Sequence, residues 1–438
     1  MRNIITASAL GLVMATPVGA QAAVSEQEVA ELKQQVQALL NRVQQLENQN
    51  AQLVAGAAPN ARIEQLEARV VEAEATNDRQ TDQLAQAVDK DKRVDWATKI
   101  KWKGDLRYRH EMIDEEGRDQ RDRQRIRARF GLDAKVSDTL NASLQIATGD
   151  PLDPRSTNST LGDSNQRDQI QLDLAYVDWL AWTDTTVTAG KQKYAWFRPG
   201  GSLFYDGDIN PEGVAVKWGA RTGPFASGWG LWLSEVSAGA DANLFGAQVG
   251  WVTDFGLTVA LSYHDYGALQ GSSLTFTEYP AGNTTYNGNT SCNLPPPATG
   301  ATRCYVYDYN IVGLGAEYTT KVGALPLSFW GDFVQNQDPD DLNTGYNVGA
   351  KLGKAGDPGT WEMALLYQEL EADAQWAGFI DSDFAGGSSQ GKGLQFKGGW
   401  APARNAMLNL TWFENDRNYD TTSERDYQRL QLDFNFKF

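Results

Sequence analysis

Cysteine and histidine are nearly absent from this chain, with two of each among 438 residues. His110 and His264 form no zinc-ligand spacing, and no Cys-x-x-Cys-His run occurs to attach haem. Basic residues are outnumbered, 39 Lys plus Arg against 56 Asp plus Glu, giving a formal net charge of −17. That excludes general nucleic-acid binding, which needs a basic face. Past the amino-terminal segment no stretch approaches ~18 consecutive apolar residues, which argues against helical membrane spans. Catalytic constellations are missing too. Gly313-Leu314-Gly315 is an isolated GxG inside a strand pattern and reads as a bend in a sheet. No Ser-His-Asp or paired-carboxylate arrangement is legible beside His264. The sequence therefore points to no catalytic residue, no metal and no cofactor.

What is present is alternation. In the last nine residues, Leu430, Leu432, Phe434, Phe436 and Phe438 fall on one face of a strand. Gln431, Asp433, Asn435 and Lys437 fall on the other. A wholly apolar face backed by a wholly polar one is what a strand between lipid and a wet lumen needs. At the other end, Arg2, the apolar run Ile4 to Val18 and Ala20-Gln21-Ala22 read as a secretory signal peptide over 1–22. A mean hydropathy of −0.48 fits an exported barrel, because lumen and lipid residues alternate. The 42 Gly suit curved strands and turns, and 14 Trp, 16 Tyr and 16 Phe suit interfacial girdles. Export also makes a local disulfide between Cys292 and Cys304 the expectation, with two free thiols as the alternative.

Residues 23–95 form a separate module. Val29, Leu32, Val36, Leu39, Val43, Leu46, Asn50 and Leu53 are spaced as a heptad seam, with Val and Asn50 at a and Leu at d. Gly56 to Pro59 interrupts it. A weaker stretch follows with Ile63, Leu66, Val70, Ala73, Asn77 and Leu84 near the seam. The prediction is an α-helical coiled coil, and the Val/Leu seam with one polar a position leans toward two strands.

From residue 96 to 438 the period is two, and sixteen strands are predicted. They lie near 98–110, 123–135, 139–148, 168–180, 185–195, 213–220, 228–237, 243–252, 257–266, 305–319, 325–335, 344–353, 360–370, 391–401, 405–414 and 427–438. Connections after even-numbered strands are short. Several after odd-numbered strands are long: 149–167, 196–212, 267–304 and 371–390. That asymmetry predicts an all-β, transmembrane antiparallel β-barrel of about 16 strands with its turns in the periplasm. The coiled coil then lies in the periplasm, and the cysteines lie in the longest outer loop.

Inside such a barrel, Arg107 and Arg109 share a face with Lys101 and Lys103. Arg123, Arg125, Arg127 and Arg129 share a face of the next strand. With the apolar faces on lipid, these cations line the lumen as two neighbouring basic columns. Either they guide anions, or carboxylates across the lumen neutralise them, Asp168 and Asp173 on the fourth strand and Asp206 and Asp208 among them. The loop Phe197 to Pro211 carries Arg198-Pro199-Gly200-Gly201 and Asp206-Gly207-Asp208.

Gly104-Asp105-Leu106-Arg107-Tyr108-Arg109, Arg125-Ile126-Arg127-Ala128-Arg129, Ala189-Gly190-Lys191-Gln192 and Phe438 resemble the Gram-negative "putative porin" family with an amino-terminal coiled coil, and more distantly the phosphate-selective porins. The resemblance implies a water-filled channel in the cell outer membrane for passive diffusion of small hydrophilic solutes or ions. It implies a homotrimer, against the dimer the heptads favour. It implies that the third outer loop folds inward, making Asp206 and Asp208 constriction candidates, and that Phe438 ends an insertion signal read by the barrel-assembly machinery. Alternatives are an anion- or phosphate-selective channel, and an envelope tether or partner-sheathing barrel.

Overall fold

The computed structural model describes residues 26–54, 68–82, 98–162, 164–237, 239–272, 288–293 and 303–438. The chain divides into two units, Met1–Thr98 and Lys99–Phe438. In the first, helices span Glu26–Val54 (α1) and 68–82. The signal peptide, the Gly56 to Pro59 break, and Ile63, Leu66 and Leu84 lie outside the described residues.

The second unit is a closed antiparallel barrel. Its sixteen strands are β1 (Ile100–Glu115), β2 (Arg121–Lys135), β3 (Leu140–Thr148), β4 (Ile170–Trp182), β5 (Thr185–Lys191), β6 (Glu212–Gly219), β7 (Gly223–Ser234), β8 (Ala242–Val252), β9 (Leu257–Gly267), β10 (Tyr309–Val322), β11 (Leu325–Asn336), β12 (Thr344–Gly353), β13 (Trp361–Leu370), β14 (Gly391–Ala403), β15 (Ala406–Arg417) and β16 (Arg425–Lys437). Each pairs with its chain neighbours, and β1 also pairs with β16. The seam ends on two backbone bonds between Gly104 and Phe438, each 3.0 Å. Closure leaves no strand edge facing lipid, which a bilayer requires.

Every predicted strand is present, with shifted ends. β5 stops at Lys191 rather than 195, β7 starts at Gly223 rather than 228, and β10 starts at Tyr309 rather than 305. β4 begins at Ile170, so Asp168 is an exposed loop residue and not a lumen acid. Short turns gather at one end, where Asp184, Gly323 and Asn405 take positive φ. At that turn end a belt of outward aromatics includes Trp102, Trp182, Trp218, Trp251, Trp400 and Phe438, all exposed, as a lipid headgroup boundary favours.

The loop end is not open. Loop 192–211, loop 371–390 and part of loop 149–169 fold inward. Trp196, Phe204, Tyr205, Phe379 and Ile380 from the first two pack with Trp229, Leu244, Tyr266, Tyr309 and Val334 of the wall into one buried apolar cluster. The family resemblance implies an inward turn only for the third outer loop. The residues of 371–390 are fully buried at Ala374, Gln375 and Ala385. Cys292 and Cys304 are joined as a disulfide between two three-residue strands, Ser291–Asn293 and Arg303–Tyr305. This hairpin adjoins the same cluster: Tyr305 is buried, and Asn289 donates to Gln375 O at 3.0 Å.

Candidate functional site: a charged wall facing the inward loops

Antiparallel register lines up the inward side chains of β16, β1 and β2 in rows. Lys437, Asp105 and Arg129 form one, Asn435, Arg107 and Arg127 the next, then Asp433, Arg109 and Arg125, then Gln431, Glu111 and Arg123. The period-two alternation of each strand alone fixes this face. All six predicted arginines therefore stand together on one wall. Lys101 and Lys103 share it near the turn end, where Lys103 is bound to Asp133 at 2.7 Å.

The wall is largely neutralised by its own acids. Arg109 grips Asp433 with Nε and Nη2, at 2.7 and 2.9 Å. Arg107 reaches Asp433 only at 3.9 Å and donates to Asn158 Oδ1 at 3.2 Å. Asp105 takes both Arg127 and Arg129, each at 2.7 Å. Glu111 is fully buried and holds Arg123 and Arg429. Asp433 is on the polar face named for the last strand and Asp105 is in the quoted motif, but neither is a predicted site residue. Arg429 lies on the polar face of a predicted strand, and Glu111 lies one residue past the predicted end of β1, which runs to Glu115. Asp383 had no such signal. It lies on loop 371–390 and binds Arg429 at 2.7 Å, Gln431 at 2.9 Å and Arg109 at 3.4 Å.

The predicted acids of the third outer loop divide. Asp208 approaches Arg129 at 3.9 Å and accepts from Thr157 Oγ1 at 3.1 Å. Burial would raise its pKa, but Arg127, Arg107 and Arg129 outweigh this and hold it below the usual carboxylate range. Asp206 does not oppose the arginines. It turns to loop 371–390, accepting from the Ser382 N–H at 3.0 Å. Burial and then the nearby Asp381 and Asp208 push its pKa well above the usual range. Asp173 lies on the β4 wall, where it accepts from Asn210 rather than from an arginine.

Loop 192–211 reaches across the lumen because two glycines allow it. Gly200 N–H donates to Glu317 Oε2 of β10 at 2.9 Å. Gly200 has φ +57°, and a Cβ there would strike the Trp330 indole of β11. Gly315, in the isolated GxG, leaves room for Pro199. His264 faces inward and is buried. Its Nε2 lies 3.0 Å from Tyr205 Oη, and its ring sits against Trp196 and Trp229. Trp196, Tyr205 and Trp229 belong to the buried apolar cluster that fills this part of the lumen.

What remains lies along the charged wall. At the turn end a chamber of about 780 Å³ is bordered by Arg109, Leu203, Trp330, Lys397, Asp433 and other residues. A small cavity of about 170 Å³ follows, lined by Arg107, Arg109, Arg155, Asp208, Asp381 and Asp383 among others. An outer cavity of about 310 Å³ opens among Arg118, Arg123, Arg125, Arg417 and Arg429. Asp383 borders all three cavities, and Arg109 borders the first two.

A closed sixteen-stranded barrel, narrowed by its own loops beside a polar wall, is the architecture of a diffusion channel. The sequence profile of the family described as Putative porin matches residues 112–318 and 307–438, more than half of the chain, and the chain belongs to that family. OprB of Pseudomonas putida, solved at high pH, superposes with a TM-score of 0.53 at 12% identity, covering 78% of this chain and 95% of that one. A triple mutant of the Rhodopseudomonas blastica porin covers 77% of this chain and 100% of its own, at 12% identity and a TM-score of 0.44. A comparison with curated protein sequences finds no match. The protein is an outer-membrane channel for passive diffusion in a Gram-negative bacterium.

Proposed function

We propose that small hydrophilic solutes and ions pass along the arginine wall, from the Arg-rich outer cavity, past Arg107 and Arg109, into the chamber at the periplasmic end. The observation that carries this reading is the run of three cavities that share Asp383 and are each bordered by at least one wall arginine, while an aromatic cluster fills the lumen around Trp196, Tyr205 and His264. Because most wall arginines are matched by carboxylates, overall ion selectivity is weak, and anions are favoured locally. The narrow passage favours a substrate-selective channel over a wide general pore. Planar-bilayer recording in a salt gradient tests this. Arg107→Ala with Arg127→Ala is expected to change conductance and reversal potential. Parent values in the double variant would place permeation elsewhere.

Assembly follows the same reading. Val36, Leu39, Val43 and Leu46 form an apolar stripe on α1 that is exposed in the single chain. Matching stripes from other copies would cover it as a coiled coil in the periplasm. A homotrimer fits a porin barrel, against the dimer the heptad seam favours, and a native mass of two chains in mild detergent would refute it. Lipid contacts the outward aromatics. Phe438, whose side chain points outward at the seam, ends the strand offered to the barrel-assembly machinery. The chemistry of the wall is that of passage, not of catalysis.

A further inference from the structure

Among the described residues, two arginines on this face of β2, Arg121 and Arg125, have no carboxylate within ion-pairing distance; Arg121 is exposed to solvent and Arg125 is buried. Arg107, Arg109, Arg123, Arg127, Arg129 and Arg429 each have one. Yet Arg125 is only 8% exposed. Its Nη2 donates to neutral acceptors, Ser156 Oγ at 3.2 Å and Asn158 O at 3.1 Å. Its Nε has no partner. A buried guanidinium without a counter-charge is costly unless an anion visits it. Arg125 lines the outer cavity with Ser156, Arg123 and Arg429, close to where that cavity meets the small one through Ser156, Ser382 and Asp383. The outer cavity is bordered by six arginines, 118, 121, 123, 125, 417 and 429, against Glu115, Asp119, Asp153 and Asp383. Glu115 is already shared by Arg118, Arg417 and Arg425.

We propose that Arg125, with Ser156 and the edges of Arg123 and Arg429, forms a binding site for a small oxyanion, a carboxylate or a phosphate, in the outer cavity. The site rests on the reading that permeation follows the arginine wall. It makes that passage saturable for oxyanions rather than merely permissive. A guanidinium fork suits two oxygens of one anion, which chloride cannot offer. Asp383 opposes the site from the loop side, so a bound anion competes with it for Arg429.

The test uses the full-length protein in planar bilayers with KCl as carrier. Sodium phosphate and sodium acetate are titrated separately on the loop side at constant ionic strength. Saturable reduction of the KCl current by either anion supports the site and shows which oxyanion it prefers. Current independent of both overturns it. Arg125→Gln is expected to raise the half-saturating concentration about tenfold or more, and Arg125→Lys, which keeps charge but loses the fork, about threefold. Unchanged half-saturation in Arg125→Lys overturns the assignment even if Arg125→Gln fails to insert. If the parent inserts but passes no KCl, the permeation reading fails. Calorimetric titration of the detergent-purified protein with phosphate and with acetate then decides the site alone: a dissociation constant raised about threefold in Arg125→Lys supports it, and no heat in the parent, or an unchanged constant in Arg125→Lys, overturns it.

Discussion

Replacing Gly200 with alanine perturbs the constriction without touching a charge. Gly200 sits at the tip of loop 192–211 with φ +57°. A side chain in this left-handed region costs roughly 1 kcal/mol. The added methyl also runs into the Trp330 indole. That ring is also packed on the backbone of β12, lying where a Cβ on Gly349 would stand. Overpacking of this kind costs about 1–3 kcal/mol. Together the two effects weigh about 2–4 kcal/mol against docking of the tip, which moves the docked-to-undocked ratio about 30- to 700-fold. The bond from Gly200 to Glu317 is lost, while the barrel's strand ladder is untouched. Single-channel recording is therefore expected to show higher mean conductance and added open-channel noise, with unchanged heat-modifiability on gels. Gly201→Ala is the control. Gly201 has φ +75°, but nothing lies within 4 Å of an added Cβ, so only the backbone cost applies. Parent conductance and noise in Gly200→Ala would refute the claim that this tip is wedged against the wall.

Asp433→Asn removes the carboxylate that Arg109 grips with two bonds and leaves it Asp383 at 3.4 Å, and this loss is expected to lower stability by about 2 kcal/mol. Thermal unfolding should show the loss, and reversal potentials should move toward anions. The loop carboxylates give a pH dependence with two limbs. Asp206 is raised, so its docked form holds a proton that the undocked form has released, and docking weakens as pH rises above the ordinary carboxylate range. Asp208 is lowered, so its contribution is present above that range and lost as pH falls through it. Conductance noise should be least at mildly acidic pH, and Asp206→Asn should flatten the alkaline limb. Deleting Phe438 removes both backbone bonds to Gly104. A lower folded fraction on heat-modifiability gels is expected.

Alternation alone determined the barrel: sixteen strands, their lipid and lumen faces, the long and short connections, and the six arginines on one wall. The physical reason is local. A strand's side-chain period of two needs no tertiary partner, and a bilayer demands that one face be apolar. The same logic contained Asp105, Arg429 and Asp433, since each lies on the polar face of a predicted strand, whereas Glu111 lies one residue past the predicted end of β1. Which charges pair was not local. It depends on the closure of β16 on β1, which brings Asp433 to Arg109 across more than three hundred residues of chain. The loops were least legible, because they have no period. Loop 371–390 carries Trp376, Phe379 and Ile380 like any apolar segment, and only the fold gives them a cavity to fill. That packing places Asp383 on Arg429, turns Asp206 away from the arginines, and leaves Arg125 without a carboxylate. The channel's walls were thus written in sequence, and the width and charge of its passage were decided by tertiary contacts among distant loops.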